Sequence, residues 1–217
     1  MRGPSSAPIT PLTGSFFHAG THPIWRQWVS SGKPTALRAE RVTRVRSRAQ
    51  QLGDARQREI AAAVHAYFAS KPHAFEQFAA DIVRLMDPNV VAIDVTRASR
   101  DGGRDAVGRY RIGLPQNCVT VDFAMEAKCY KPSSGLGVEV ISRLISRLRH
   151  RQFGVLVTTS FLGDQPYKEI FEDEHPIIVC AGGDLAELLI AKRDLTTPAA
   201  ATAWLARAYP LDALAQG

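Results

Sequence analysis

The sequence predicts an α/β fold, in which a mixed central β-sheet is flanked by helices and preceded by an N-terminal helical extension. Helical patterns, with apolar residues spaced three and four apart, occupy much of the region between residues 34 and 86. Three strand patterns then follow one another around polar turns, as in an antiparallel meander. The rest of the sequence alternates helices with short apolar strands, which is typical of parallel strands joined by crossover helices.

The boundaries of the elements follow from periodicity and from turn residues. Gly53–Asp54 separates the first two helices, and Lys71–Pro72 ends the second. The apolar run 154–158 is short and continuous, as expected for a strand buried on both faces. The predicted elements are helices at 34–51, 54–70 and 73–86, strands at 90–95, 105–112 and 118–129, helix 138–149, strand 154–158, helix 164–173, strand 176–180, and helices 183–192 and 198–208.

Composition excludes several classes of protein. Hydrophobic residues make up 45% of the sequence, enough for a substantial core. No run of 18 apolar residues is present, and no apolar stretch follows Arg2, so we expect neither a membrane span nor a secretory signal. The three cysteines form no C-x-x-C pair, which argues against a structural zinc site and favours reduced thiols. We therefore predict a cytoplasmic protein without a membrane partner.

Positive charge is concentrated near the N-terminus. Residues 1–75 contain eleven Lys and Arg residues but three Asp and Glu residues, a balance of +8 within a total of +6. Such a basic region indicates a polyanionic partner or contact with another domain, although a solvated helix face would have the same composition. We divide the chain into a basic helical extension or linker at 1–72 and a main domain at 73–217.

Two acids and a lysine lie on neighbouring predicted strands. Glu126 and Lys128 are two positions apart in one strand, so their side chains project from the same face. A hairpin that turns at 114–117 brings Asp105, at the start of the preceding strand, opposite the region of Glu126. Two carboxylates about 4 Å apart repel by about 4 kcal/mol at an effective dielectric constant near 20, so the pair favours a bound cation.

These residue types suit the hydrolysis of a phosphodiester. Mg²⁺ prefers hard oxygen ligands and lowers the pKa of its bound water, and a lysine can orient that water or stabilise developing negative charge. Asp105, Glu126 and Lys128 therefore predict a metal-dependent nuclease site. Glu76, early in the third helix, is a candidate fourth member, although an ordinary acid near a helix N-terminus looks the same. Asp101 lies in the same turn as Asp105, but Asp105 leads into the strand and is preferred.

At these residues the sequence resembles the PD-(D/E)xK nuclease superfamily and, more narrowly, the Mrr-like catalytic domain of restriction endonucleases. The resemblance covers roughly residues 73–193 and rests on several separated segments in the same order. The matching segments are Phe75–Glu76, Asp101–Asp105, Glu126–Tyr130, the helix at 138–149, Phe153–Ser160 and Ile177–Leu185.

The resemblance implies a restriction-endonuclease-like fold for residues 73–217 and a Mg²⁺-dependent DNA endonuclease in which Mn²⁺ substitutes. It implies Asp105 and Glu126 as metal ligands, Lys128 as the catalytic lysine and Glu76 as an auxiliary metal or water contact. Double-stranded DNA would be the partner, and a homodimer or higher oligomer is expected for double-strand cleavage. Relatives commonly pair this domain with a separate DNA-recognition domain, so the chain resembles the cleavage module of a larger, modification-dependent enzyme.

Other readings of the same residues stay open. A Holliday-junction or repair nuclease would use the same acids and lysine, and a non-catalytic DNA-binding or dimerisation module would share the fold. Candidate DNA contacts are Lys131, in the loop after the strand, and Arg143 and Arg147 on the following helix. A solvated helix end would account for the two arginines equally well.

Overall fold

A computed structural model describes residues 45–95, 106–148 and 153–210 of the chain. The elements lie close to their predicted positions, and they confirm the mixed α/β sheet with helices around it. They are α1 (Arg48–Leu52), α2 (Ala55–Phe68), α3 (Pro72–Met86), β1 (Val90–Val95), β2 (Ala106–Leu114), β3 (Asn117–Lys128), α4 (Val138–Arg147), β4 (Phe153–Thr158), α5 (Asp164–Glu172), β5 (Ile177–Cys180), α6 (Gly182–Arg193) and α7 (Pro198–Ala208).

The five strands form one sheet in the order β1-β2-β3-β4-β5. The pairs β1/β2 and β2/β3 are antiparallel, and the pairs β3/β4 and β4/β5 are parallel. The predicted meander and crossover are both confirmed, and β3 is the strand where the two halves meet. Gly108 pairs with Phe123, and a Cβ atom at Gly108 would lie 2.1 Å from the Phe123 ring, so this register requires glycine.

The alternation of β3 gives the sheet two apolar faces. Phe123, Met125 and Ala127 belong to one core, which they share with α2, α3, α6 and α7. Ala124 belongs to the other core, together with inner residues of α4 and α5. Glu126 and Lys128 alternate with the first set, so they project toward the face that α4 covers.

The N-terminal helices α1 and α2 are held by caps and by the core. Ser47 with Gln50, and Asp54 with Gln57, form capping boxes at the two helix starts. Ile60, Val64 and Phe68 of α2 are completely buried in the core shared with α3. The apolar face of α2 thus completes the same core as α3. The domain boundary predicted after residue 72 stays a prediction.

Two polar side chains tie the segment around α1 to the rest of the domain. The Gln51 amide donates to the carbonyl of Leu162 at 2.9 Å and accepts from the Leu162 amide N–H at 2.9 Å. Arg46 donates to both carboxylate oxygens of Asp184, at 2.7 and 2.8 Å, and to the carbonyl of Val179 at 3.0 Å. The rest of the basic helix predicted at 34–51 and the paired tryptophans before it lie outside the described residues.

Close backbone contact at the start of α6 accounts for two consecutive glycines. A Cβ atom at Gly182 would lie 2.7 Å from the carbonyl oxygen of Thr159, and one at Gly183 would lie 2.7 Å from that of Gln51. Within the described ranges, no helix is both long enough and apolar enough to cross a lipid bilayer.

Candidate active site

Glu126 and Lys128 lie at the carboxyl end of β3, where that strand runs parallel to β4. Glu126 pairs with Leu156, and Lys128 pairs with Thr158 at the last paired position of the two strands. Helix α4, which connects β3 to β4, lies over this face and places Arg143 and Arg147 beside the Glu126 carboxylate. The crossover connection from β3 through α4 to β4 therefore brings these side chains together.

The carboxylate of Glu126 is buried and surrounded by cations. Its Oε1 atom is 2.6 Å from Nζ of Lys128 and 3.7 Å from Nη1 of Arg143, and its Oε2 atom accepts a hydrogen bond from Nη1 of Arg147. The Glu126 side chain has no exposed area, whereas Lys128 and Arg147 keep 19% and 9% of theirs and Arg143 keeps 58%. Among the described residues, Glu126 is therefore the shared partner of two poorly hydrated cations and one well hydrated cation.

Burying the Glu126 carboxylate costs free energy of folding. Removing a carboxylate from water is unfavourable by several kcal/mol, and the loss is offset only by close ion pairs and hydrogen bonds. Lys128 and Arg147 supply those pairs from two different elements. Strongly compensated buried charge at the end of a central strand is a common property of functional sites.

Three consecutive hydroxyl groups hold the chain that follows Lys128. Thr158, Thr159 and Ser160 are completely buried. Their hydroxyls donate to the carbonyls of Lys128 at 2.8 Å, Tyr130 at 2.6 Å and Ser134 at 2.5 Å. We call this set the hydroxyl ladder. It continues the contact between β3 and β4 beyond their last backbone pair, so it fixes the backbone that carries the lysine.

Asp105 and Asp101 lie outside the described residues, so the structure does not test either prediction. The described strand β2 begins at Ala106, which pairs with Met125. The placement of Asp105 opposite the region of Glu126 stays a prediction.

Glu76 belongs to α3, which packs on the other face of the sheet from the Glu126 side chain. Its carboxylate is 3.2 Å from Nδ1 of His73, and its side chain keeps 15% of its exposed area. The role of Glu76 as an auxiliary metal or water contact stays a prediction.

Lys131, the other predicted DNA contact, is exposed in the segment that follows β3. Burial lowers the pKa of the His65 imidazole on α2, and the nearby charge of Lys131 lowers it further. Burial also raises the pKa of the Cys129 thiol to about 11, against a smaller opposing effect of a hydrogen bond with Thr159. Lys131 therefore lies near His65 of α2, and the Cys129 thiol keeps its proton at neutral pH.

The donor groups present fit a divalent cation only in part. Among residues 45–95, 106–148 and 153–210, no group of three or more His, Cys, Asp or Glu residues is close enough to hold a metal ion. Glu126 contributes one hard oxygen donor of the kind that Mg²⁺ and Mn²⁺ prefer. A complete site of this type needs a second carboxylate, for which Asp105 is the candidate.

Comparisons with known proteins identify the family of this domain. A family model described as a restriction endonuclease catalytic domain matches residues 69–189. The chain belongs to this family. A solved DNA modification-dependent restriction endonuclease, AspBHI, is similar at 41% identity and a TM-score of 0.70, with 85% of this chain and 48% of that chain covered. The restriction endonuclease MspJI in complex with a 27-mer oligonucleotide is similar at 27% identity and a TM-score of 0.62, with 85% and 43% covered. No curated protein matched the sequence.

The comparisons confirm the predicted restriction-endonuclease resemblance and fold. Membership of the family implies a DNA-cleaving hydrolase, and such enzymes generally use divalent metal ions. The chain spans less than half the length of either solved relative.

Sequence reasoning missed the contact between Arg147 and Glu126. Both arginines of α4 were predicted as candidate DNA contacts, with solvent exposure as the alternative, and Arg143 is indeed largely exposed. The signal for Arg147 was its place in the helix, seven residues after Val140 and three after Leu144, where it continues the inner apolar stripe. A charged residue in that stripe indicates a buried partner on the strand below.

Proposed function

We propose that this chain is the cleavage domain of a metal-dependent DNA endonuclease of restriction type. The observation that carries the proposal is the buried Glu126 carboxylate, 2.6 Å from the Lys128 ammonium at the end of the central strand of a restriction endonuclease domain. Neither residue stabilises the apolar core by its own burial. Their pairing places an acidic metal ligand and a cation side by side, an arrangement that suits phosphodiester hydrolysis.

The proposed division of roles follows from the residue chemistry. Asp105 and Glu126 would hold the divalent ion, with Glu76 as an auxiliary contact, and Mg²⁺ or Mn²⁺ suits these oxygen donors. When bound, the ion shields the phosphate charge and activates a water molecule. Lys128 presents its ammonium beside the carboxylate, where it orients that water or stabilises negative charge on the phosphate oxygens. The hydroxyl ladder keeps its backbone in place.

The substrate proposal is double-stranded DNA, supported by the family and by the oligonucleotide held by MspJI. Lys131 and Arg143 are exposed cations that follow Glu126 in the sequence, so we propose that they contact DNA phosphates. Cleavage of both strands needs two such sites, so a homodimer or higher oligomer is proposed.

A modified base in the target and a separate DNA-recognition domain are proposed from the similarity to AspBHI, which is modification-dependent. The cytoplasm is the proposed location because all three cysteines are free thiols.

The test is cleavage of unmodified and methylated plasmid with Mg²⁺, with Mn²⁺ and with EDTA. We expect Glu126→Gln, Lys128→Met and Asp105→Asn each to abolish metal-dependent cleavage, with Glu76→Gln reducing it less. Asp101→Asn is the matched control for Asp105→Asn and is expected to retain activity. Cleavage that survives Glu126→Gln or Lys128→Met in a folded protein contradicts the assignment.

A four-way junction added to the same assay separates the restriction-type activity from a junction resolvase. Preference for the junction over linear duplex supports the resolvase. DNA binding without cleavage under every metal condition supports a non-catalytic module.

A further inference from the structure

We infer that Arg147 is a positioning residue that competes with the metal ion for Glu126 and so sets the metal affinity of the site. The inference rests on the proposed function, because it takes Glu126 as a metal ligand. It goes further because Arg147 would lower the metal affinity of the site, whereas a residue that merely supports the site would raise that affinity.

Both oxygens of Glu126 already contact cations, with Lys128 and Arg143 near Oε1 and Arg147 hydrogen-bonded to Oε2. A divalent ion held by Glu126 would share this carboxylate with the Arg147 guanidinium, which is hydrogen-bonded to Oε2. The two cations would therefore repel each other and compete for one ligand group.

Three cationic side chains surround one carboxylate among the described residues of the site. A divalent ion held by Glu126 would add positive charge beside these side chains. A guanidinium does not relieve repulsion by giving up its proton. It must turn away, or the ion binds weakly.

Position and burial make Arg147 the important competitor. It lies in the last turn of α4, and its side chain is 9% exposed, so its charge is poorly screened. Arg143 lies one turn earlier, 3.7 Å from Oε1 and 58% exposed, so water screens most of its charge. The two arginines form a graded pair on one helix, with the stronger effect expected from the buried one.

The experiment measures Mn²⁺ binding to the full chain without DNA, by the electron paramagnetic resonance signal of the free ion. Arg147→Met keeps the length of the side chain and removes its charge, and it is expected to tighten Mn²⁺ binding about tenfold, equivalent to about 1.4 kcal/mol. Arg147→Lys is expected to restore most of the wild-type weakness. Arg143→Met is expected to tighten binding about two- to threefold.

Arg207→Met is the matched control, because Arg207 is an exposed arginine on α7, and it is expected to leave the affinity unchanged. Circular dichroism shows which variants fold. If Arg147→Met does not fold, the exposed Arg143→Met variant decides the question by itself. Unchanged or weaker Mn²⁺ binding in the folded arginine variants overturns the inference, because a supporting residue would weaken binding when removed.

Glu126→Gln separates this inference from the proposed function. If the wild type and Arg147→Met bind Mn²⁺ equally, and Glu126→Gln binds far less, the metal site stands and the role of Arg147 falls. If Mn²⁺ binding is the same in Glu126→Gln as in the wild type, or if no variant binds Mn²⁺, Glu126 is not a ligand and both proposals fall.

Discussion

Replacing Glu126 by glutamine should destabilise the folded domain as well as stop cleavage. The side chain keeps its size but loses its charge, which leaves Lys128 and Arg147 facing each other in a site where they are 19% and 9% exposed. Losing one partner of a buried ion pair costs about 3–5 kcal/mol. The glutamine oxygen still accepts one hydrogen bond and the exposed Arg143 can turn to solvent, so we expect about 3 kcal/mol.

The measurement is urea unfolding followed by circular dichroism, together with the melting temperature. For a domain of this size, about 3 kcal/mol corresponds to a fall of about 6–12 °C in melting temperature. The double variant Glu126→Gln with Arg147→Met should recover part of the loss, because it also removes one of the two poorly hydrated cations that pair with Glu126. An unfolding free energy that is unchanged or increased in Glu126→Gln would refute this reasoning, since it would mean that the carboxylate is strained in the native state.

Three further results are expected. Gln51→Leu should lower the unfolding free energy by about 2–3 kcal/mol, because it leaves the buried backbone N–H and C=O of Leu162 without their partner; a loss below about 0.5 kcal/mol in urea unfolding contradicts this. Ellman's reagent at pH 8 should titrate exposed Cys118 quickly, half-buried Cys129 slowly and buried Cys180 only on unfolding, and equal rates for the three thiols would disprove this order of exposure. Between pH 9 and 11 the unfolded chain loses the thiol proton of Cys129 while the folded chain, with its pKa of about 11, keeps it, so unfolding free energy should fall with rising pH, and it should fall less steeply in Cys129→Ala.

The sheet could be predicted from the sequence because its signals are local. Strand β1 was placed at its observed bounds, and the hairpin between β2 and β3 was placed around the same turn, since apolar alternation and turn residues act over a few neighbours. The spacing of Glu126 and Lys128 also fixed their common face before any tertiary contact was known.

The rest depends on contacts between distant parts of the chain. Nothing near Gln51 in the sequence shows that it bonds to the backbone of Leu162, more than one hundred residues later. The inclusion of α2 in the core is of the same kind, because its apolar face needed a partner that only the folded chain supplies. The role of Arg147 required knowing that α4 crosses over Glu126.

The hydroxyl ladder separates what holds the lysine in place from what faces the substrate. Its three donors belong to β4 and its immediate continuation, and they bind main-chain carbonyls in the segment after Lys128. The side chains of Lys131 and Ser133 in that segment are exposed and take no part in the anchoring. The exposed side chains beside the site can therefore be substituted, by selection or by design, while the hydrogen bonds of the hydroxyl ladder stay in place. Changes of target preference should be sought there first, with the threonines left untouched.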